Sequence, residues 1–139
     1  DPDRRRIPLA YYAEAGPLGS IFRGLEAAGR RARVGVAGLG IGTVASYARP
    51  GDEYVFFEID PAVARIAENA RWFTYLADCK GQTRLVIDDA RHALESEPDG
   101  ALDLLVIDAF TGDSVPTHLL TREAFALYSR KLGPGGVLA

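Results

Sequence analysis

The 139-residue sequence has a single cysteine, two histidines and no methionine. One cysteine, Cys79, cannot form an internal disulfide, which favours a reducing compartment such as the cytoplasm. Two histidines and one cysteine spread along the chain do not make a zinc cluster, so no metal is expected. Hydrophobic runs are also short: none reaches the roughly 18 residues that span a bilayer, and no signal-peptide pattern opens the chain.

Positive charge is not in excess, since 16 lysines and arginines stand against 19 acidic residues, for a formal net charge of −3. A general nucleic-acid binder needs a basic surface that neutralises phosphates, so this composition argues against nucleic acid as a partner. Hydrophobic residues make up 47% of the chain and charged residues 25%, which is typical of a globular protein. We therefore expect a single domain over residues 1–139.

Strand-like and helix-like stretches alternate along the chain. Four strands are predicted, at 33–37, 54–59, 84–87 and 104–107. A fifth strand is predicted to begin at Gly136, after a last helix that starts at Thr121 and ends at Gly133-Pro134. The alternation predicts an α/β fold with a doubly wound, mostly parallel sheet. Because the chain ends where strand 5 starts, we expect a truncated sheet in a fragment of a larger protein.

The first predicted strand leads into a turn that contains Gly38, Gly40 and Gly42. Glycine is needed where the backbone turns sharply and where a ligand approaches too closely for a Cβ atom. A helix is expected to follow, with its amide-rich N-terminus directed at the ligand. Glu58 comes 20 residues after Gly38, at the carboxyl end of the second strand. An acid at this place can accept hydrogen bonds from both ribose hydroxyls.

The pattern of the turn favours an adenosyl amino acid over NAD. In the G-x-G-x-x-G pattern of dinucleotide-binding proteins, the third glycine would fall on Thr43, whereas this sequence has Gly42. Asp89 and Ala90 follow the third strand, where an acid can accept a hydrogen bond from the adenine amino group. The alternative for Asp89 is the N-cap of a helix. Groups at the carboxyl ends of successive strands form one crevice.

Asp108 ends the fourth strand and faces the reactive end of a cofactor that lies across the sheet. A carboxylate there can hold a cationic amine and accept its proton as the amine attacks an electrophilic carbon. Free alkylamines have pKa values near about 10, so attack at neutral pH requires help in losing a proton. The alternative for Asp108 is an Asx turn that caps the following loop. His118 follows that loop, where a contact with the substrate is one alternative, but as a lone histidine it is interpreted as a surface residue.

Several motifs then resemble one protein family, in the same order and over most of the chain. They are Tyr11-Tyr12 with Gly16-Pro17-Leu18-Gly19, then VGVAGLGIG, FFEIDPAV, VIDDAR, LLVIDAF and LGPGGVLA. The sequence is similar to the spermidine synthase family (polyamine aminopropyltransferases), and specifically to spermidine synthase-like proteins. The resemblance implies a Rossmann-like fold of the class I S-adenosylmethionine-dependent methyltransferase type. It also implies a transferase of polyamine biosynthesis, which moves an aminopropyl group from decarboxylated S-adenosylmethionine to a small-molecule amine.

The resemblance also implies roles for individual residues. Glu58 would bind the ribose beside the glycine turn, Asp89 and Ala90 would bind the adenine, and Asp108 would be the proton acceptor. In the substrate site, Tyr12 belongs to the family's Tyr-His pair, whose histidine is replaced here by alanine. Asp113 is the nearest match to the second acid of the catalytic loop.

One departure from the family keeps other functions open. The turn aspartate that pairs with the aminopropyl ammonium is matched here by Ile41, which cannot compensate a cation. One alternative is therefore a methyltransferase that uses intact S-adenosylmethionine, and another is a non-catalytic adenosyl-nucleotide-binding domain. Spermidine synthase-like domains also occur fused to membrane segments, so the chain is interpreted as cytoplasmic or as the soluble part of a membrane-tethered protein. Oligomerisation is compatible with the sequence.

Overall fold

The computed structural model describes residues 6–110 and 114–139. The helices and strands, in chain order, are α1 (Pro17–Ala27), β1 (Arg33–Ala37), β2 (Glu53–Glu58), α2 (Pro61–Ala67), β3 (Gln82–Ile87), α3 (Ala90–Glu95), β4 (Leu102–Ile107), α4 (Arg122–Lys131) and β5 (Leu132–Leu138). Short 3₁₀ helices lie at Ala10–Tyr12, Thr43–Tyr47 and Thr117–Leu119. The predicted alternation of strands and helices is therefore present in the structure.

The strands form one parallel sheet in the order β3-β2-β1-β4-β5. β1 is central and pairs with β2 on one side and with β4 on the other. The chain first builds the sheet outward through β2 and β3, then returns to the other side of β1 to form β4. In open α/β sheets, ligands bind outside the carboxyl ends of the strands at such a reversal. The ends of β1 and β4 therefore mark where a site is expected.

Helices cover both faces of the sheet. Phe22 of α1 and Ala64 of α2 belong to the core on one face, together with Val36 of β1. Leu94 of α3 and Tyr128 of α4 belong to the core on the other face. The three inner strands, β1, β2 and β4, are mostly buried on both sides and therefore carry largely apolar runs rather than an alternating pattern, whereas the edge strands β3 and β5 are more exposed. The predicted doubly wound α/β fold is confirmed.

The helix that was expected after the glycine turn is absent from the described structure. Only the five-residue 3₁₀ helix Thr43–Tyr47 follows the turn, and Ala48 already has an extended backbone with ψ 133°. Pro50 explains the early stop, because a proline disfavours the helical conformation of the residue before it and cannot donate a backbone hydrogen bond. The turn therefore offers a ligand its own amides, without a long helix behind them.

The last helix and strand follow each other without a loop. α4 ends at Lys131 and β5 begins at Leu132, which pairs with Leu102 of β4. Gly133-Pro134 therefore lies inside β5, and the expectation that this strand starts at Gly136 is wrong. The pairing register shifts between Leu102 and Leu104, so the intervening residues of β5 form an irregularity in the strand. Pairing with β4, rather than the proline signal, decides where β5 begins.

Candidate functional site

The glycine turn follows β1 and lies against the end of β4. All three of its glycines have left-handed backbones, with φ of 101° at Gly38, 53° at Gly40 and 82° at Gly42. A Cβ atom on Gly38 would collide with the carbonyl oxygen of Asp108, and one on Gly42 would lie 2.9 Å from Cγ of Leu76. Nothing lies within 4 Å of a Cβ atom on Gly40. The protein's own packing thus requires Gly38 and Gly42, and the middle glycine faces open space.

The carboxylate of Glu58 lies directly beside this turn. Its Oε2 accepts a hydrogen bond from the backbone N–H of Leu39 at 3.1 Å, and its Oε1 accepts one from the N–H of Asp60 at 2.9 Å. Only 8% of the residue is exposed. Each oxygen has two lone pairs, so each can accept one further hydrogen bond. Glu58 thus presents two fixed acceptors next to the glycine turn, as a ribose diol requires.

Asp89 performs the capping role that the sequence left open, and it also lies at the site. Its Oδ1 accepts hydrogen bonds from the N–H groups of Arg91 and His92 at 3.0 and 3.1 Å, which caps α3. Its Oδ2 lies 2.7 Å from Nε2 of His118. Burial alone would raise the pKa of Asp89, but His118 and the two amides hold this pKa below its usual value. Asp89 is therefore an ionised acceptor at neutral pH.

Asp108 immediately follows β4 and is held by Tyr12 from the start of the chain. The Tyr12 hydroxyl donates a hydrogen bond to Oδ2 of Asp108. The N–H of Asp108 donates to the carbonyl of Ala37 at the end of β1, at 2.7 Å. Burial raises the pKa of Asp108, and the hydrogen bond from Tyr12 partly opposes that increase. A carboxylate with a raised pKa is a stronger proton acceptor than an ordinary aspartate.

These groups line one cleft of about 520 Å³ at the carboxyl ends of the strands. Of the residues singled out from the sequence, those that line it are Tyr12, Gly38, Gly40, Glu58, Asp89, Ala90 and Asp108. Gly42 belongs to the turn but does not line the cleft, and its neighbour Ile41 does not either. Asp113 lies outside the described residues. The sequence-predicted residues therefore converge on one surface wherever the structure describes them, with the exception of Gly42.

The lining of the cleft is acidic. Glu58, Asp60, Asp89 and Asp108 contribute carboxylates, whereas none of the described lining residues is a lysine or an arginine. A cleft lined by charges of one sign focuses the field and raises the local concentration of ligands of the opposite sign. The electrostatics therefore favour a cationic ligand, such as a sulfonium or an amine, over a phosphate.

Some of the lining residues were not predicted from the sequence. His118, which was interpreted as a surface residue, lines the cleft and bonds to Asp89, although about half of its side chain is exposed. Tyr11 and Phe110 also line the cleft with exposed aromatic rings. The only sequence signal for His118 is its position shortly after the Asp108 loop. Its contact with Asp89 depends on the path of the segment around the short 3₁₀ helix Thr117–Leu119. The hydrophobic periodicity of the sequence does not predict that path.

Comparisons with known proteins agree with the resemblance seen in the sequence. A structure titled as a probable spermidine synthase from Corynebacterium glutamicum ATCC 13032 superposes with a TM-score of 0.65 and 26% identity, over 84% of this chain and 42% of that chain. The polyamine aminopropyltransferase of Vibrio vulnificus (strain CMCP6) is 32% identical to this chain over an alignment of 143 residues. The alignment covers 99% of this chain and 44% of that protein. Over nearly its whole length the chain is similar to a polyamine aminopropyltransferase.

The chain spans less than half the length of the curated relative that it matches. No family model matches it. Human methyltransferase-like protein 13, in complex with SAH, shares the fold with a TM-score of 0.64 and 19% identity, over 79% of this chain and 54% of that chain. That likeness supports the methyltransferase-type fold that the sequence predicted.

Two further features of the chain concern metals and membranes. Across 6–110 and 114–139, no helix has both the length and the hydrophobicity to cross a membrane. Within the same residues, no cluster of three or more histidine, cysteine, aspartate or glutamate side chains is arranged to hold a metal ion. Fusion to membrane segments and oligomerisation stay predictions.

Proposed function

We propose that the protein catalyses aminopropyl transfer from decarboxylated S-adenosylmethionine to an amine acceptor. One observation carries the proposal: the Tyr12-bonded carboxylate of Asp108 shares a single acidic cleft with Glu58 and Asp89. Glu58 and Asp89 would hold the ribose and the adenine at one end. Asp108 would serve the reacting amine at the other end. The relation to a polyamine aminopropyltransferase gives the transferred group.

The proposed reaction is a direct displacement at carbon. Asp108 accepts a proton from the ammonium group of the acceptor, which frees the lone pair of the nitrogen. The nitrogen then attacks the aminopropyl carbon that is attached to the sulfonium sulfur, this carbon–sulfur bond breaks, and its electron pair stays on the sulfur as a neutral thioether. Because Tyr12 donates to Oδ2 of Asp108, we assign the proton to Oδ1. The products are a lengthened polyamine and 5′-methylthioadenosine.

The charge of the cleft supports this chemistry. The donor is a sulfonium cation and the acceptor is an amine that is mostly protonated at neutral pH. Both are attracted to a cleft whose described lining has several carboxylates and no lysine or arginine. The sulfonium charge disappears as the carbon–sulfur bond breaks, so the neutral thioether is held less strongly than the donor. The acidic lining therefore assists both the entry of the sulfonium donor and the release of the thioether product, 5′-methylthioadenosine.

Methyl transfer from intact S-adenosylmethionine is the second candidate. Ile41, in the middle of the glycine turn, is an apolar side chain and cannot pair with the ammonium group of an aminopropyl chain. In intact S-adenosylmethionine the ammonium group has a carboxylate beside it in the same molecule, so that end of the donor carries no net charge. Ile41 thus favours the intact donor, and the two candidates differ in the donor that they use.

An assay with both donors tests the proposal. The protein is incubated with decarboxylated or intact S-adenosylmethionine and a panel of diamines and polyamines, and the products are measured by mass spectrometry. We expect 5′-methylthioadenosine and an acceptor that is heavier by one aminopropyl unit, with the decarboxylated donor only. S-adenosylhomocysteine and a methylated acceptor from the intact donor would establish the second candidate instead. Calorimetry that detects no binding of either donor would contradict both.

The raised pKa of Asp108 predicts the pH dependence of the transfer rate. A protonated Asp108 cannot accept a proton, so the rate should increase as the pH rises through this pKa, which lies above the usual value of about 3.9. Burial raises the pKa and the Tyr12 hydrogen bond lowers it. Tyr12→Phe should therefore raise the pKa further and move the acid limb of the kcat profile to higher pH.

Tyr47→Phe is the matched control for this profile. The Tyr47 hydroxyl donates to the backbone carbonyl of Tyr12 and does not contact Asp108. Its removal should leave the acid limb where it is in the wild type. If Tyr12→Phe leaves the limb in place, or moves it to lower pH, then Asp108 is not the group whose titration controls the rate.

A further inference from the structure

His118 contacts the residue that we assign to the adenine. Its Nε2 lies 2.7 Å from Oδ2 of Asp89, and both residues line the cleft. The other oxygen of Asp89 is occupied by the backbone amides at the start of α3. Donors on both oxygens fix the plane of the carboxylate, and Oδ2 keeps a second lone pair for a ligand. The pair therefore presents one oriented acceptor at the adenine end of the cleft.

The segment that carries His118 is anchored without the help of the His118 side chain. Arg91 of α3 donates from Nη1 to the carbonyl of His118 at 3.2 Å. The Tyr128 hydroxyl of α4 donates to the carbonyl of Leu119 at 2.9 Å, and Leu119 itself is buried. These contacts hold the 3₁₀ helix Thr117–Leu119 in place through its backbone. The imidazole is therefore free to act on Asp89 rather than to hold the segment.

We propose that His118 is a positioning residue that makes the site selective for 6-aminopurine over 6-oxopurine nucleosides by fixing the carboxylate of Asp89. A 6-amino group donates a hydrogen bond to a carboxylate oxygen, whereas a 6-oxo group presents a second acceptor to it. An oriented carboxylate forms a hydrogen bond with the 6-amino group but none with the 6-oxo group. The 6-oxo compound binds more weakly, because a polar group left without a partner in a site is costly. The inference rests on the proposed function, since it assumes that an adenosyl group occupies the cleft.

Binding of two nucleosides tests the role of His118. The affinities of 5′-methylthioadenosine and 5′-methylthioinosine are measured by calorimetry for the wild-type protein, His118→Ala and His118→Gln. We expect the wild type to prefer the adenine compound by about 100-fold, and His118→Ala to lose at least about tenfold of that preference. The Gln amide nitrogen can donate from nearly the same place as Nε2, so His118→Gln should restore most of it.

His92→Ala is the matched control, because His92 forms the same kind of pair outside the cleft lining. Its Nδ1 lies 2.6 Å from Oδ2 of Asp88, and its side chain is 74% exposed. This variant should keep the wild-type preference. If His118→Ala weakens both nucleosides equally, or leaves the preference intact, the positioning role is wrong while adenosyl binding stands. If the wild type binds neither nucleoside, the proposed function fails, and the inference with it.

Discussion

Replacing Asp108 by asparagine should lower the rate of aminopropyl transfer by about 1,000-fold, since a positioned general base contributes roughly 100- to 10,000-fold. Asparagine keeps an oxygen that can accept the hydrogen bond from Tyr12, so the geometry of the loop should survive. It cannot take a proton from the amine. Because Glu58 and Asp89 are unchanged, the affinity for 5′-methylthioadenosine should stay within about twofold of the wild type. The kcat value and calorimetry separate the two effects.

The thermal stability of Asp108→Asn and the turnover of a control variant, Asp88→Asn, are also measured. Burial raises the pKa of Asp108, so the charged form is disfavoured in the fold and an uncharged side chain should not lower the thermal midpoint. Asp88→Asn removes a carboxylate at the end of β3, where Asp88 pairs with His92 and does not line the cleft. It should retain near wild-type turnover. Full turnover in Asp108→Asn would show that another group accepts the proton.

Replacing Glu58 by glutamine should weaken adenosyl binding by about 100-fold or more. The carboxylate accepts from the amides of Leu39 and Asp60 on separate oxygens, whereas glutamine has one oxygen and one NH₂ group. The NH₂ group must then face a backbone N–H, and one acceptor for the ribose is lost. Hydrogen bonds to charged groups contribute about 1.5–3 kcal/mol each, and tenfold in affinity corresponds to about 1.4 kcal/mol. Calorimetry with 5′-methylthioadenosine measures the loss.

Glu53→Gln is the control for Glu58, because it makes the same change at the other end of β2. The Glu53 side chain is more than half exposed and pairs with Arg33 at 3.1 Å. Surface pairs of this kind contribute about 0–1 kcal/mol, so neither binding nor folding should change measurably. An unchanged affinity in Glu58→Gln, in a protein that is folded at the temperature of the experiment, would remove Glu58 from the ribose site.

The sequence predicts which residues share the cleft where topology alone places them. In a parallel sheet, the residues that follow each strand necessarily meet at one edge. The residues after β1, β2, β3 and β4 could therefore be assigned to one crevice before their contacts were known. The two alternatives for Asp89 also turn out to be compatible, because one oxygen caps α3 while the other faces His118 in the cleft.

The sequence predicts less well where a feature depends on competition between neighbouring segments. The glycine pattern predicted a helix after the turn, but Pro50 prevents it from extending beyond the 3₁₀ helix Thr43–Tyr47. β5 starts at Leu132 because β4 pairs with it there, and the Gly133-Pro134 signal was given too much weight. His118 reaches Asp89 through backbone anchors from α3, which lies far earlier in the chain, and from α4, which follows shortly after it. The first outcome follows from a local proline effect, and the other two are decided by tertiary contacts.

The two amides on Glu58 bear on the thermodynamics of ligand recognition. A flexible glutamate would have to be ordered by the arriving nucleoside, at a cost of about 0.5–1.5 kcal/mol for one immobilised side chain. Here the backbone amides of Leu39 and Asp60 hold the carboxylate through contacts within the protein itself. The Glu58 side chain is thus already ordered when the protein folds, so a ligand does not have to order it on binding. A nucleoside that enters this preorganised site retains more of its interaction energy as affinity.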